Sequence, residues 1–379
     1  MRIYLDHNAT TPVRAEVADA MSRALRDLPG NPSSVHAEGA AARAAVEAAR
    51  ERVATLVGAA SGDVVFTSGA TEANHAALHA AVASAGPAAA LVTSTAEHPS
   101  VEEAAAALEE RGHRVTRVGV DAEGRLELDG LEAALARGPA LASLLLANNE
   151  TGVVQDADAL AARAQARGVP LHLDATQAVG KVPVDVARLG ASFLSASAHK
   201  FGGPKGAGFL VCRGRPLPPW LHGGPQERGR RGGTENVPGI VGLGVACELA
   251  LRELGERAAC YAALRDRLWA GIREKVPRVR WNGGAGAVLP NTLSVEFEGA
   301  DGEALLQALD LEGVAVSMGA ACHSGSITPS RVLAAMGRSP AQARATLRWS
   351  IGHGVDESQI DRVLALLPDL VARAREAAA

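Results

Sequence analysis

From about Ala15 to Ala250 the chain alternates amphipathic runs of Ala, Arg and Glu with short apolar segments. The segments are Val64–Phe66, Ala90–Thr93, Ser143–Leu146, Leu171–Leu173, Phe193–Leu194 and Gly208–Val211. Runs this short, bounded by polar or glycine residues, predict buried strands, and the longer runs between them predict helices. Strands alternating with helices predict a mainly parallel α/β sheet. After a helical stretch from about Ala246 to Lys275 the pattern changes. A strand at Thr292–Phe297, a helix at Gly302–Leu309 and a strand at Val314–Val316 follow. Short helices, a strand at Thr346–Trp349 and a last helix opened by Asp356 complete the chain. Asp356 and Gln359 approximate a capping box, and the Ala-rich end after Arg373 is expected to fray. The pattern thus predicts a large α/β domain over 13–250. A smaller α+β domain would take 1–12 and 251–379.

Composition narrows this picture. Hydrophobic residues make up 47% of the 379 but aromatics only 3%, so the core must rest on Ala, Val and Leu. A net charge of −4 gives no long-range attraction to nucleic acid or to an acidic membrane surface. The apolar stretch Ala76–Val92 is interrupted by His79, Ser84, Gly86 and Pro87, so no membrane span is expected. The N-terminal residues carry no signal-peptide pattern. Four cysteines form neither a C-x-x-C pair nor a zinc spacing, so no metal is expected and a reducing cytoplasm is.

Most predicted strands run directly into polar residues: Thr67-Ser-Gly, Glu97-His98, Asn148-Asn-Glu, Asp174 and Ser197-Ala-His-Lys200. Ligands of open α/β sheets bind beyond the carboxyl ends of strands, so these tips predict one shared site. Lys200 is one of only four lysines in a chain where arginine carries nearly all the positive charge. Its pairing with Asp174 suits pyridoxal phosphate, which needs a Schiff-base lysine and a carboxylate that keeps its ring nitrogen protonated. The turn Ser68-Gly-Ala70-Thr71 before a helix could aim N–H groups and a hydroxyl at a phosphate. Cys322, among Gly, Ala and Ser, reads as a reactive thiol in an accessible segment. Cys212, Cys247 and Cys260 read instead as small structural hydrophobes. His98 stands where it could cover a cofactor ring, and Arg348 could clamp a carboxylate or serve a structural ion pair. The run Arg228–Asn236 fits either a solvated loop or a phosphate approached from outside.

With these residues in view, the chain resembles the cysteine desulfurases of the NifS/IscS type, in the fold-type I, class V aminotransferase superfamily. The resemblance runs from Tyr4-Leu-Asp6-His-Asn-Ala-Thr-Thr-Pro12 and Gly30-Asn-Pro-Ser-Ser34 through Thr67–Asn74, Glu97-His98, Asn148–Gly152 and Asp174–Gln177. It continues through Ser197–Lys200, Arg231–Asn236, Gly319–Cys322 and Leu347–Gly352. It implies a fold-type I transferase with Lys200 as the Schiff-base lysine and Asp174 at the pyridine nitrogen. Gln177 would meet the phenolic oxygen and His98 would stack on the ring. Ala70, Thr71, Ser197 and His199 would hold phosphate, joined by Thr234 from the other subunit of a homodimer. Asn149 and Arg348 would hold the carboxylate of L-cysteine. Cys322 would accept its sulfur as a persulfide, leaving L-alanine, with Lys200 and His98 moving protons.

A sulfur-acceptor protein of iron–sulfur cluster assembly or thio-modification would follow, reached by the long cysteine-bearing loop. The chain departs from the family pattern at His323, where Ser or Thr is common, and at Gly352-His353-Gly354 in place of Gly-Arg. A selenocysteine lyase or another class V aminotransferase would share the cofactor residues. The aminotransferase would have no use for Cys322, and the lyase is disfavoured by the long loop. A non-catalytic cofactor-binding scaffold would be expected to have lost Lys200, Asp174 or Cys322.

Overall fold

The computed structural model describes residues 2–318 and 330–378. Among these residues seven strands form one sheet, in the order Val64–Thr67, Gly208–Cys212, Phe193–Ser197, Leu171–Asp174, Leu141–Leu145, Ala90–Ser94 and Arg114–Val118. Gly208–Cys212 runs antiparallel to both neighbours, and the other adjacent pairs are parallel. The six expected strands are all present. Five of them bury every residue, which is why they read as unbroken apolar runs rather than alternating ones.

Arg114–Val118 was not anticipated. It is one of the two edge strands of this sheet, paired among the described residues only with Ala90–Ser94. Arg117 on it bonds Glu102 and Glu109 of the helix Pro99–Glu110. An edge strand can carry charge that a central strand cannot, so its polar residues hid it.

The long helix spans Val237–Lys275 and starts nine residues earlier than its sequence pattern suggested. Its cap is Asn236, whose side chain accepts from Gly239 N at 3.2 Å. Glycines dilute the apolar pattern of its first turns. They also let it approach its neighbours closely: a Cβ on Gly244 would lie 2.7 Å from Ala49 Cβ of the helix Ala37–Val57. The first half of this helix packs with the large sheet. Its second half, through Leu264, Leu268 and Ile272, belongs to a separate apolar cluster.

That second cluster joins Ile3 and Leu5 to the strands Thr292–Phe297 and Thr346–Ser350 and to the last helix, Glu357–Ala377. Ile3–Tyr4 pairs in parallel with Val314–Ala315, so the first residues of the chain pack with its last third. A short strand, Val279–Trp281, adds an edge to Thr292–Phe297 and was also unexpected. Asp356 caps the last helix by accepting from Gln359 N at 2.9 Å. This helix does not fray at Arg373. Ala374 is buried, and Arg375 donates to Pro277 O at 2.6 Å. Among the described residues no helix is long and apolar enough to cross a membrane.

Candidate active site

The carboxyl ends of Ala90–Ser94, Leu141–Leu145, Leu171–Asp174 and Phe193–Ser197 open on a cavity of about 590 Å³. Lys200, Asp174, His98, Gln177 and Asn149 line it. So do Ala70, Thr71, Ser197 and His199. Nine residues expected to share one site do share it. Thr234 does not line this cavity within the chain. It is exposed, on a separate hollow of about 290 Å³ that includes Arg231. Cys322 and His323 lie outside the described residues.

Lys200 ends a short 3-10 turn, Ala198–Lys200, that follows the strand Phe193–Ser197. Its Nζ donates to Asn8 O at 2.7 Å and Ala9 O at 2.9 Å. The segment carrying those carbonyls is itself fixed to the turn. Thr11 N donates to His199 O at 2.8 Å, and Gly202 N donates to Thr11 Oγ1 at 2.8 Å. Burial, followed by the charge of Arg348, lowers the Lys200 amine to about 8. An amine held there is partly free base at neutral pH, as a carbonyl-capturing lysine requires.

Asp174 is 5% exposed, at the tip of its strand. Its Oδ1 accepts from Thr176 N at 3.0 Å, and its Oδ2 accepts from Asn74 Nδ2 at 2.8 Å. Asn74, on the helix Ala70–Ala85, also donates to Ser100 Oγ at 2.8 Å. Ser100 Oγ in turn lies 2.8 Å from His98 Nδ1. Ser100 N donates to the same nitrogen at 3.1 Å, so the neutral ring carries its proton on Nε2. One amide thus ties the carboxylate to the imidazole on the cavity wall. Asn74 belongs to the Thr67–Asn74 motif, which by itself does not reveal this role. The available signal was an Asn in the interior of an Ala-rich helix, where its propensity is poor.

The helix Ala70–Ala85 supplies the other end of the cavity. Its cap residue Gly69 makes no side-chain cap, so the first N–H groups are left for a ligand. Gly208 permits this turn to sit against the sheet: a Cβ there would lie 2.6 Å from Gly69 Cα. His199 Nδ1 lies 3.2 Å from Thr10 Oγ1. Burial, then Lys200 and Lys205, hold its ring down to about 4, so it serves as a neutral hydrogen-bonding group. Lys205, exposed on the rim of the cavity, is a cation without an assigned role.

Arg348 sits behind Asn149 rather than on the cavity wall. Its Nη1 donates to Asn149 O at 3.0 Å and its Nη2 pairs with Asp6 Oδ1 at 2.6 Å. Its buried Nε has no partner among the described residues. Of the remaining thiols, Cys212 and Cys247 are buried, and burial pushes Cys212 up to about 11 and Cys247 higher still. Cys260 departs from expectation. It is exposed, on the stretch of the long helix between Ala250 and Leu264 that buries no residue.

This donor set fits pyridoxal phosphate. A carboxylate at one end, a basic amine beside the cavity and uncapped helix N–H groups at the other match its ring nitrogen, aldehyde and phosphate. Thr176 lines the same cavity, and its buried Oγ1 has no hydrogen-bond partner among the described residues. Among the described residues no cluster of His, Cys, Asp and Glu could hold a metal ion.

Comparison with known proteins agrees with this geometry. The aminotransferase class-V family model matches residues 3–363. The chain is 44% identical over 374 residues to a cysteine desulfurase of Trichormus azollae, covering 98% of this chain and 94% of that one. It is 46% identical over 377 residues to a cysteine desulfurase of Sinorhizobium fredii, covering 99% and 97%. Among solved structures it is similar to a NifS-like protein at a TM-score of 0.92 and 35% identity, covering 98% of this chain and 100% of that one. It also resembles SspA in complex with cysteine, at a TM-score of 0.83 and 35% identity, covering 93% and 99%.

Proposed function

The chain belongs to the class-V aminotransferase family, and from that premise we infer that it is a cysteine desulfurase. It takes the sulfur from L-cysteine with the help of pyridoxal phosphate and releases L-alanine. The observation that carries this reading is the pairing of Lys200 and Asp174 in one cavity with a helix N-terminus. The lysine amine there is lowered to about 8.

Lys200 would hold the cofactor's carbonyl carbon. Asp174, kept in place by Asn74 and Thr176, would hold its ring nitrogen. Ala70, Thr71, Ser197 and His199 would hold the phosphate, and Gln177 the phenolic oxygen. When bound, pyridoxal phosphate draws electrons away from the α-carbon of the amino acid. The protein's own groups do the rest. Asn149 would meet the substrate carboxylate, and Arg348, which donates to the Asn149 carbonyl from behind it, would support the same carboxylate with its positive charge. Lys200, as a free amine, takes the α-proton and returns it, and His98 covers the ring and serves as a second proton carrier. Cys322 then acts as thiolate. A bond forms between its sulfur and the substrate sulfur as the substrate carbon–sulfur bond breaks. The electron pair of that bond stays with the three-carbon product, which leaves as L-alanine after protonation.

The finer assignments belong to the same proposal. A homodimer would bring Thr234 of each subunit to the phosphate of the other, which agrees with its exposed position outside its own cavity. The Cys322 persulfide would pass to an acceptor protein of iron–sulfur cluster assembly or thio-modification in the cytoplasm. The large domain would take 13–250, and the small one 1–12 and 251–379. The cluster that joins Ile3 and Leu5 to Leu264, Leu268 and the last helix supports that division, whereas Leu289, Val332, Leu333, Met336 and Ala343 pack with the large domain.

The test is to mix purified protein with L-cysteine and dithiothreitol and to quantify both products. Sulfide and alanine should appear in equal amounts and only with pyridoxal phosphate bound. Protein that carries the cofactor but yields neither product overturns the reading.

A further inference from the structure

Lys181 is 4% exposed and forms no salt bridge with a carboxylate among the described residues. It lies at the end of the turn that begins at Asp174, four residues after Gln177. Its Nζ donates to Gln177 Oε1 at 2.5 Å and to Asn8 Oδ1 at 3.1 Å. The charged groups facing it are Lys200 and Arg348, with the imidazole of His7 nearby. A buried amine set among cations, and satisfied among the described residues by two side-chain amides, is costly to keep, so its geometry calls for an explanation.

The two contacts fix the orientation of both amides. A backbone carbonyl can only accept, so the end of the Gln177 amide that meets Asn8 O is its NH₂ group and Oε1 is the end that faces Lys181. Nε2 donates one hydrogen to Asn8 O at 3.0 Å. Its second hydrogen remains for the cavity that Gln177 lines. Asn8 is held just as firmly. Its Oδ1 accepts from Lys181 and from Asn291 Nδ2 at 3.1 Å, and its Nδ2 donates to Thr292 Oγ1 at 2.8 Å. The carbonyl of the same residue receives Lys200 at 2.7 Å.

We propose that Lys181 is a positioning residue of this site, holding Gln177 with an N–H toward the cofactor's phenolic oxygen and fixing the Asn8 carbonyl that seats Lys200. This rests on reading the cavity as a pyridoxal phosphate site. Without the amine, Oε1 loses its donor and the Gln177 amide is held by the Asn8 O contact alone, which loosens the N–H aimed at the anionic oxygen. A phenolic oxygen that loses an N–H donor becomes more basic.

The experiment is a pH titration of the visible absorbance band of the purified holoprotein, which reads the cofactor and not turnover. Lys181→Met should raise the midpoint by about one pH unit, the scale of one hydrogen bond to a charged atom. Gln177→Leu should raise it similarly. The double variant should shift no further than Gln177→Leu alone, because Lys181 acts through Gln177. Lys181→Gln keeps a polar end one bond shorter. It preserves a fold that needs polarity here and carries an N–H of its own for Oε1, so it should recover part of the rise seen in Lys181→Met. A wild-type midpoint in Lys181→Met overturns the inference, as does full additivity in the double variant. Wild-type protein that shows no cofactor band overturns the reading of the cavity itself, and this inference falls with it.

Discussion

Asn74 Nδ2 stands 2.8 Å from Asp174 Oδ2, and a single buried amide thereby sets the position of the carboxylate that defines the site. The other end of that amide is fixed as well. Asn74 Oδ1 accepts from Ser195 Oγ, which lies 3.0 Å from His172 Nε2, and His172 Nδ1 lies 2.8 Å from Ser143 Oγ. Burial holds the His172 ring at about 4, so the chain from Ser143 to Asp174 is neutral up to the carboxylate itself.

Replacing Asn74 with Ala should therefore damage chemistry more than binding. Asp174 would lose a donor worth about 1.5–3 kcal/mol to a charged acceptor, and turnover should fall roughly 10- to 100-fold. Sulfide production with saturating L-cysteine measures this. Wild-type turnover in Asn74→Ala would show that Thr176 N alone is enough to hold the carboxylate.

Capture of pyridoxal phosphate by the apoprotein should report the lowered basicity of Lys200. Only the unprotonated amine attacks an aldehyde, so the rate should climb with pH while the amine is mostly charged. With the amine held to about 8, the climb should be about tenfold per pH unit below that value and flatten above it. An ordinary exposed lysine would keep climbing to about 10.4. Rapid-mixing absorbance between pH 6 and 10.5, each an experimental setting of about that value, separates the two. Lys200→Ala should show no capture band at any pH.

Cys322→Ser should retain the cofactor band and its change on adding L-cysteine, because Lys200, Asp174 and the phosphate end are untouched. Sulfide release should nevertheless collapse, since a hydroxyl cannot replace a thiolate that attacks sulfur. Mass spectrometry of wild-type protein given L-cysteine without reductant should find the extra sulfur on the peptide containing Cys322. Finding it on the exposed Cys260 would move the acceptor role there.

The loop that leads to Thr234 is anchored by a buried ion pair. Arg50 Nη1 and Nη2 donate to Glu227 Oε2 and Oε1 at 2.8 and 2.9 Å, and Phe66 N donates to the same carboxylate at 3.0 Å. Glu227 lies in left-handed backbone, with φ of 49°, and the pair is nearly inaccessible, at 5% and 2% side-chain exposure. Glu227→Ala would strand the guanidinium and should cost about 3–5 kcal/mol, seen as a lower midpoint in chemical denaturation. Replacing both partners with apolar residues should recover much of that loss. A neutral single variant would show that water reaches Arg50.

The sequence alone determined six of the seven strands of the large sheet and the chemistry of its rim. Val64–Thr67, Leu171–Asp174 and Phe193–Ser197 bury every residue, so they read as strands without reference to any neighbour. Polar tips at the ends of such strands have few places to go except into one shared cavity, which is why Lys200, Asp174, His98 and the turn at Ala70 could be grouped in advance. Tertiary structure decided what the local pattern leaves open. Arg114–Val118 and Val279–Trp281 are strands only because a neighbour offers an edge, and their exposed sides left no apolar signal. Asn74, Lys181 and the Asn8 carbonyl matter through partners 100, 4 and 192 residues away in the chain. No window of sequence holds those pairs together, apart from the short step from Lys181 to Gln177. A hydrogen bond is satisfied by whichever polar atom the fold delivers, so residue type names the chemistry available and only packing chooses the partner.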